Sequence, residues 1–546
     1  MKPILKAFLF AIPFLLTLKL CSVIPFNTPT SKEPALSLPT FSTPEFLENS
    51  SDRIGHYENH LFRGLTESDR IRKLEKLVSA FGLLRATAPQ FYVDFFSHPK
   101  MSDLAKRLSH FSNNQLFEAI VSADNHLENF SWDPVTSAKT GKVQQIIEFE
   151  LAQNDFDEAV VGPWILDIVR LMSSIAVKAT ESGFSTTQID RALQLSAESF
   201  TLTLNELSRK DRHQQDAAEK KLSEKMTQSI QVLTDHLDKI RKYDGDLAIK
   251  KWTQQTKGHL RFRDDSTLPI VKQKILPLND STELARHLKE AFEEYVKRQK
   301  NSSSFSESYF QIIDMAYRVN AGTGSLGTPR FFILLRGDKG RPIILDIKGV
   351  PKPNFYPYLS SRERDIYDEI YGENHALRAI EGHRAMTRDD RALAGWLHLY
   401  TARDQPTYYS VNRVSPGKYE FPTNQMIPNR FKKNRQGSNS DKSDKIEKRL
   451  NEVSTALATV TALNQNRAYR RAILARPGMG SEPSFAKKAW TLIASYGEDP
   501  KLAHKNFQAD LVRLSSIYAM ILLGDYKVLT NAGVLKPNPV GNGSRK

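Results

Sequence analysis

Cysteine is nearly missing from this chain: Cys21 is the only one among 546 residues. A disulfide framework is therefore excluded. Cleavage just behind Cys21 would leave a mature chain with no thiol and no need of a reducing compartment. No internal repeat is present, so a repeat architecture is not expected. The N-terminus also lacks a long membrane-crossing run. Ala7 to Leu18 is apolar apart from Thr17, but it falls short of the ~20 residues such a helix needs, and Lys19 ends it. With Lys2 and Lys6 at its start, this segment reads as a signal peptide, with an uncleaved membrane anchor as the alternative. A lipid-attachment cysteine follows a small residue, and here Leu20 stands before Cys21. No specific nucleic-acid motif accompanies the positive charge.

What is present is a globular composition. The hydrophobic share of 40% and the charged share of 25% suit a soluble fold, and the length allows two or three cores. A net charge of +15 favours anionic partners such as nucleotides or an acidic membrane surface, without choosing among them. By texture the chain divides into 1–22, a signal peptide or anchor, and 23–56, a Pro-, Ser- and Thr-rich linker. Residues 57–310 form a mostly helical part and 311–425 a β-rich part. Residues 426–450 read as a basic flexible loop, and 451–535 as C-terminal helices that complete the helical part.

Several local signals are sharp. Leu74, Leu77, Val78 and Phe81 make one helical stripe within Arg70 to Phe96. Ser185 with Gln188 makes a capping box ahead of Ile189, Leu193, Phe200, Leu204 and Leu207. Arg209 to Lys225 is almost wholly polar and reads as an exposed helical arm with a solvated face. Phe331 to Leu335 and Ile343 to Ile347, joined by a turn rich in Gly, Asp and Pro, predict a β-hairpin. Thr407 to Val414 predicts a further strand, and Ile446 to Leu463 and Phe485 to Leu523 predict the closing helices.

Two groups of residues carry chemistry. In the first, Asp124 and Asn129 stand five positions apart behind the apolar stretch Phe117 to Val121. Asp155 and Asp157 then follow the strand-like Ile146 to Leu151. Phosphoryl transfer needs such a set: one carboxylate to take the proton of an attacking hydroxyl, and hard oxygen donors for magnesium. The acid-to-amide step resembles the catalytic loop of protein kinases and aminoglycoside phosphotransferases. In the latter a histidine stands two places after the acid, as His126 does here. That resemblance implies that Asp124 is the catalytic base, Asn129 a metal ligand and Asp155 the metal-binding acid, with Asp157 the competing choice. The long separation of Asn129 from Asp155 is read as an inserted loop, Trp132 to Lys142. His126 is grouped with Asp124 as a catalytic residue that orients the loop or the substrate, bonding within its loop rather than doing direct chemistry, and Asp167 is expected to bond the catalytic loop from a helix.

In the second group, Gly322, Gly324 and Gly327, with Ser325 among them, form a G-x-G-x-x-G stretch that leads into the hairpin. A dinucleotide fingerprint would open a helix instead, whereas the kinase loop over the phosphates leads into strands. Lys348, at the end of the hairpin, is then the phosphate-reaching lysine, and Glu381, in a helical run from His375 to Met386, is its expected ion-pair partner. The order is reversed relative to kinases, so a kinase-like fold here must be circularly permuted.

These stretches, together with Ala80 to Ala88, Gly162-Pro163-Trp164, Asp167, Arg170 and Glu381 to Arg384, resemble a bacterial family, domain of unknown function 2252, over roughly Leu74 to Leu514. The chain departs from it at Ala123, where the family has Gly, and at Gly349-Val350, where it has Glu-Ala. The resemblance implies an α+β, kinase-like two-lobed fold with a helical large lobe and a small antiparallel β lobe. It further implies a nucleotide partner, with ATP and magnesium as cofactors, and phosphoryl transfer to a hydroxyl of unknown identity. A nucleotide-binding scaffold without turnover and a nucleotidyltransferase are the alternatives. The N-terminal segment implies an exported or membrane-anchored protein.

Overall fold

The apolar runs around residues 331–347 pair as expected in the computed structural model. It describes residues 50–109, 118–136, 146–241, 246–300, 305–388, 393–401, 405–415, 419–421, 423, 427, 440–474 and 483–536. The chain opens with α1 (Ser50–Phe62), α2 (Glu67–Leu74), α3 (Ala80–Ala86), α4 (Ala88–Ser97) and α5 (Pro99–Ser109). The short strands β1 (Glu118–Val121), β2 (Phe130–Thr136), β3 (Ile146–Gln153) and β4 (Val160–Pro163) follow. Next come α6 (Leu166–Glu181), α7 (Thr186–Ser208), α8 (Gln215–Ser229) and α9 (Gln231–Arg241). After α10 (Leu247–Trp252) come β5 (Thr253–Thr256), β6 (His259–Phe262), β7 (Ile275–Pro277), α11 (Glu283–Lys300), β8 (Ile312–Arg318), β9 (Arg330–Leu335) and β10 (Ile343–Gly349). The remainder is α12 (Ser361–Tyr371), α13 (His375–Met386), β11 (Gly395–His398), β12 (Tyr408–Arg413), α14 (Ser440–Leu474), α15 (Phe485–Ala494) and α16 (Ala503–Asn531). The fold is α+β.

The antiparallel sheet runs β11-β12-β10-β9-β8-β7. Alternation along β9 explains why it is apolar from Phe331 to Leu335, because both of its faces are buried. Phe331, Ile333 and Leu335 pack with Leu288, Phe292 and Tyr295 of α11 on one face. Phe332 and Leu334 pack with Trp252 and Phe262 on the other. The helical core is separate and larger. At its centre Trp164, fully buried just after β4, stacks on Phe200 and Phe507 with centroids 5.9 and 5.6 Å away. Both halves of the Ser185–Gln188 capping box form at the start of α7, whose apolar stripe is buried.

Two nested pairings position the loops of interest. β1 pairs with β4, and β2 pairs with β3, both antiparallel. Because the inner hairpin lies between the outer strands in sequence, the connections 122–129 and 154–159 emerge side by side. The Asn154 N–H donates to the Asn129 carbonyl at 3.2 Å, tying one connection to the other.

Several expectations need correction. Residues 50–56, read as linker, belong to α1, which is clamped to the core: Arg53 donates to Asp94 at 2.9 Å and to Asp525. The β-rich part begins near residue 247 rather than 311, since α10, β7 and α11 supply its two cores. Arg70 to Phe96 is not one helix. Ser79 caps a new one by accepting from Gly82 N–H, and Thr87 separates it from the next. The supposed inserted loop is a strand up to Thr136, and the rest of it lies outside the described residues. The polar arm is not solvated all round. Glu219 of α8 is buried and accepts from Arg470 at 3.0 Å and Arg467 at 3.3 Å. Helix α14 starts at Ser440, inside the expected basic loop, and residues 428–439 lie outside the described residues, as do 1–49 with the export segment. Of the described helices one, Ala503–Asn531, is long and apolar enough to cross a membrane, but its apolar face is spent on the helical core.

Candidate active site

The loop after β1 takes its shape from α6. Asp167, in the first turn of that helix, accepts from the backbone N–H groups of Ser122 at 3.0 Å and Ala123 at 2.8 Å, and from the Ser122 hydroxyl at 3.1 Å. It therefore bonds the loop, as expected for a helix residue there. These bonds hold Ala123 at φ +64°, a left-handed conformation that costs a non-glycine residue about 1–2 kcal/mol. A glycine at this place would adopt that conformation without the strain. Asn125, fully buried, donates to the Asp167 carbonyl and to Thr461 of α14. Asn129 turns back to donate to the Asp124 carbonyl at 2.8 Å, which closes the loop.

Asp124 projects from this frame. Arg170, one turn beyond Asp167 on α6, donates to its Oδ1 through Nε at 3.0 Å and Nη2 at 2.9 Å. Burial raises the Asp124 carboxyl, Arg170 lowers it and neighbouring Asp155 raises it again, leaving it at about 6. His126 is buried and kept neutral. Its Nδ1 accepts from the Glu128 N–H at 3.2 Å, and its Nε2 lies 4.0 Å from Asp124 Oδ2, beyond hydrogen-bond reach. His126 thus bonds within its loop.

The second connection brings up the acids. Lys348, leaving β10, forms an ion pair with Asp157 and lies 3.9 Å from Asp155. Burial works against its charge, but the two carboxylates more than offset this and hold the ammonium above its ordinary value. Asp155 is the more open of the two acids, with 44% of its side chain exposed against 22% for Asp157. Residues more than 190 positions apart in the chain therefore meet in one ion pair. Helix α13 holds the acid loop in place. Its buried Arg378 donates to the carbonyls of Ala159 and Asp157, both at 2.5 Å. Glu158 accepts from the backbone and side chain of Asn354, at 2.7 and 2.6 Å, joining the loop to the segment after β10.

Glu381 does not pair with Lys348. Its carboxylate accepts from Tyr371 at 3.1 Å, and its Oε1 is buried without a hydrogen bond. Burial raises its carboxyl to about 8, which leaves it neutral at pH 7. The lysine took the nearer acids, and the helix contributes Arg378 to the site instead of Glu381.

The glycine stretch connects β8 to β9, so it does lead into strands. Gly322 at φ +67° and Gly327 at φ +99° occupy conformations that a side chain would strain. Ser325 lies between them, and a Cβ on Gly322 would come within 2.5 Å of its Oγ. Gly324 lies over the Arg85 carbonyl, and Arg85 in turn pairs with Glu128 of the first loop at 2.7 Å. Glycine stretch and Asp124 loop are thus linked through one arginine.

Arg170, Arg378 and Arg85 were not assigned roles from the sequence. Arg170 was legible in part, since it follows Asp167 at helical spacing and so shares its face. Nothing local marks Arg378 or Arg85.

A family model described as uncharacterized protein conserved in bacteria (DUF2252) matches residues 68–510. The chain belongs to this family. No curated protein and no solved structure matches it. The family match takes in both loops, Lys348, α13 and the glycine stretch.

Among the described residues no three His, Cys, Asp or Glu side chains gather as a metal cage. Magnesium does not require one. It binds through one or two carboxylates, keeps waters and takes the rest of its oxygens from phosphate. The exposed Asp155 carboxylate beside the Asn129 loop fits that habit.

Proposed function

We propose that the chain is a kinase-like phosphotransferase, dependent on ATP and magnesium, that acts on a hydroxyl acceptor and carries its two lobes in permuted order. The observation that supports this best is the meeting of Lys348 with Asp155 and Asp157 beside Asp124. Asp124, ionised above about pH 6, accepts the acceptor's proton at Oδ2 while Arg170 holds Oδ1. The hydroxyl oxygen forms a bond to the γ-phosphorus, and the bond from that phosphorus to the ADP oxygen breaks. Asn129 and Asp155 are the residues to hold magnesium, with Asp157 serving Lys348. Magnesium held by them would supply positive charge against the phosphates. Lys348 and the backbone of Gly322 to Gly327, with Ser325, hold the nucleotide's phosphates, and Arg378 keeps the acid loop aimed at them.

A second reading, a nucleotide-binding scaffold without turnover, draws on Glu381 being engaged with Tyr371 and on the Arg170 fork already occupying one oxygen of Asp124. Incubation of the full chain with ATP labelled at the γ- or the α-phosphate separates the readings. Transfer of γ label is the expected outcome. Transfer of α label would make the protein a nucleotidyltransferase, and binding with no transfer would make it a scaffold. Export or anchoring by residues 1–22 belongs to the same proposal, and a reporter fused at the C-terminus tells which side of the membrane the site faces.

A further inference from the structure

Beneath the glycine stretch lies a concentration of positive charge that the roles above do not use. Lys76 donates to the carbonyls of Asn320, at 3.1 Å, and of Gly322. Lys73, 3% exposed, has the Gly324 carbonyl at 3.5 Å as its contact. Arg318, at the end of β8, donates to the Lys274 carbonyl at 3.2 Å and to that of Val319 at 2.6 Å. Its guanidinium carbon lies over Trp252, 4.5 Å from the ring centroid. Arg85 and Arg330 complete the group.

Two of these five cations have acids: Arg85 pairs with Glu128, and Arg330 with Asp346. Lys73, Lys76 and Arg318 have no carboxylate within ion-pair distance among the described residues, and the more distant Asp346, Asp265 and Glu420 offset only part of the burial of Arg318. Carbonyl dipoles solvate an ammonium but do not neutralise it, and gathered like charges out of water destabilise a fold unless an anion joins them. The electrostatics agree with the geometry. Burial and the neighbouring Arg318, Arg85, Lys73 and Arg330 depress the Lys76 ammonium to about 7, and burial depresses Lys73 to about 8. Gly322 and Gly324 are exposed directly above, so the cluster adjoins open solvent. Such an arrangement is costly without a ligand and relieved by one.

We infer that Lys73, Lys76 and Arg318 form, with the backbone of residues 322–324, a seat for a phosphate-class polyanion, occupied by the terminal phosphates of the nucleotide. This deepens the reading above and rests on it for the identity of the ligand. Helix α2 and the turn after it are thereby part of the nucleotide site, although they precede both chemical loops in the chain.

Thermal unfolding of the full chain, in sodium pyrophosphate or ATP against sodium chloride of equal ionic strength, tests the seat. Pyrophosphate raises the wild-type melting temperature beyond chloride. The Lys73→Met, Lys76→Met double variant melts no lower than wild type in chloride, because repulsion is relieved, and loses at least about tenfold in pyrophosphate affinity. Lys76→Gln, the milder change, loses part of that affinity, and Lys76→Arg restores it. Unchanged pyrophosphate affinity in the double variant and in Lys76→Gln would overturn the proposal and leave the lysines as clasps for the loop carbonyls. The two readings fail separately. Pyrophosphate binding that depends on the lysines, without any ATP binding, keeps the seat and removes the nucleotide. ATP transfer with pyrophosphate binding indifferent to the lysines removes the seat and keeps the transferase.

Discussion

The two sides of the candidate site, the Asp124 wall and the glycine wall, hold their shape by opposite means. The Asp124 wall is finished without a ligand. Asp167 accepts from two backbone N–H groups and a hydroxyl, Asn125 is pinned to α14, and Arg170 fixes the Asp124 carboxylate. On the glycine wall, lysines lean on carbonyls and Lys348 shares acids that a cation would also want. A base that must meet a hydroxyl within a fraction of an ångström gains from a prepaid geometry. A phosphate grip gains from contacts that an incoming anion can replace. Under the proposed function the first wall does the chemistry and the second captures the phosphates.

The harshest test of that assignment is Asp124→Ala. Transfer of γ-phosphate should fall by about 10²–10⁴-fold or vanish, while ATP binding survives because the capturing wall is untouched. Unchanged transfer would remove Asp124 from the mechanism. Next in size is Asp167→Ala, which strands buried backbone N–H groups and should cost roughly 3 kcal/mol in urea unfolding. A loss below about 1 kcal/mol would mean that the first wall is not prepaid, and the contrast would collapse.

The third prediction concerns pH and the helix behind the second wall. Glu381 titrates at about 8 in the folded chain against an ordinary 4.5. Within that window the folded state keeps a proton that the unfolded chain releases, so stability falls as pH rises. Glu381→Gln should flatten the fall by on the order of 1–3 kcal/mol between about pH 5 and 8. A wild-type unfolding midpoint indifferent to pH there would show that Glu381 is not held neutral. The smallest effect is Ala123→Gly, which relieves the left-handed residue in the first wall and should stabilise by about 1 kcal/mol in the same unfolding measurement. A destabilisation would mean that the loop needs the stiffness of alanine more than it suffers from the strain.

The legibility of the site divides along similar lines. The Ser185 cap, the 331–347 hairpin and the helix His375–Met386 were readable because each depends on neighbours within a few positions. The candidate acids, amide, lysine and glycines were readable as residue types at given spacings. Glu381 misled because the helix was right while the partner was not. A lysine at the end of β10 reaches whichever acid the nested strands bring closest, and those are Asp157 and Asp155. Arg209 to Lys225 misled because a polar stretch with no apolar stripe looks solvated. Its Glu219 is instead matched by Arg467 and Arg470 from a helix some 250 positions later.

Composition, spacing and short-range capping were enough to determine that this chain forms a mostly helical part and an antiparallel β part and carries acid, amide, lysine and glycine at telling intervals. Only the tertiary structure decided which of them meet. Ion pairs and buried hydrogen bonds act over a few ångströms of space whatever the distance along the chain, and the pairing of β1 with β4 and β2 with β3 sets that space.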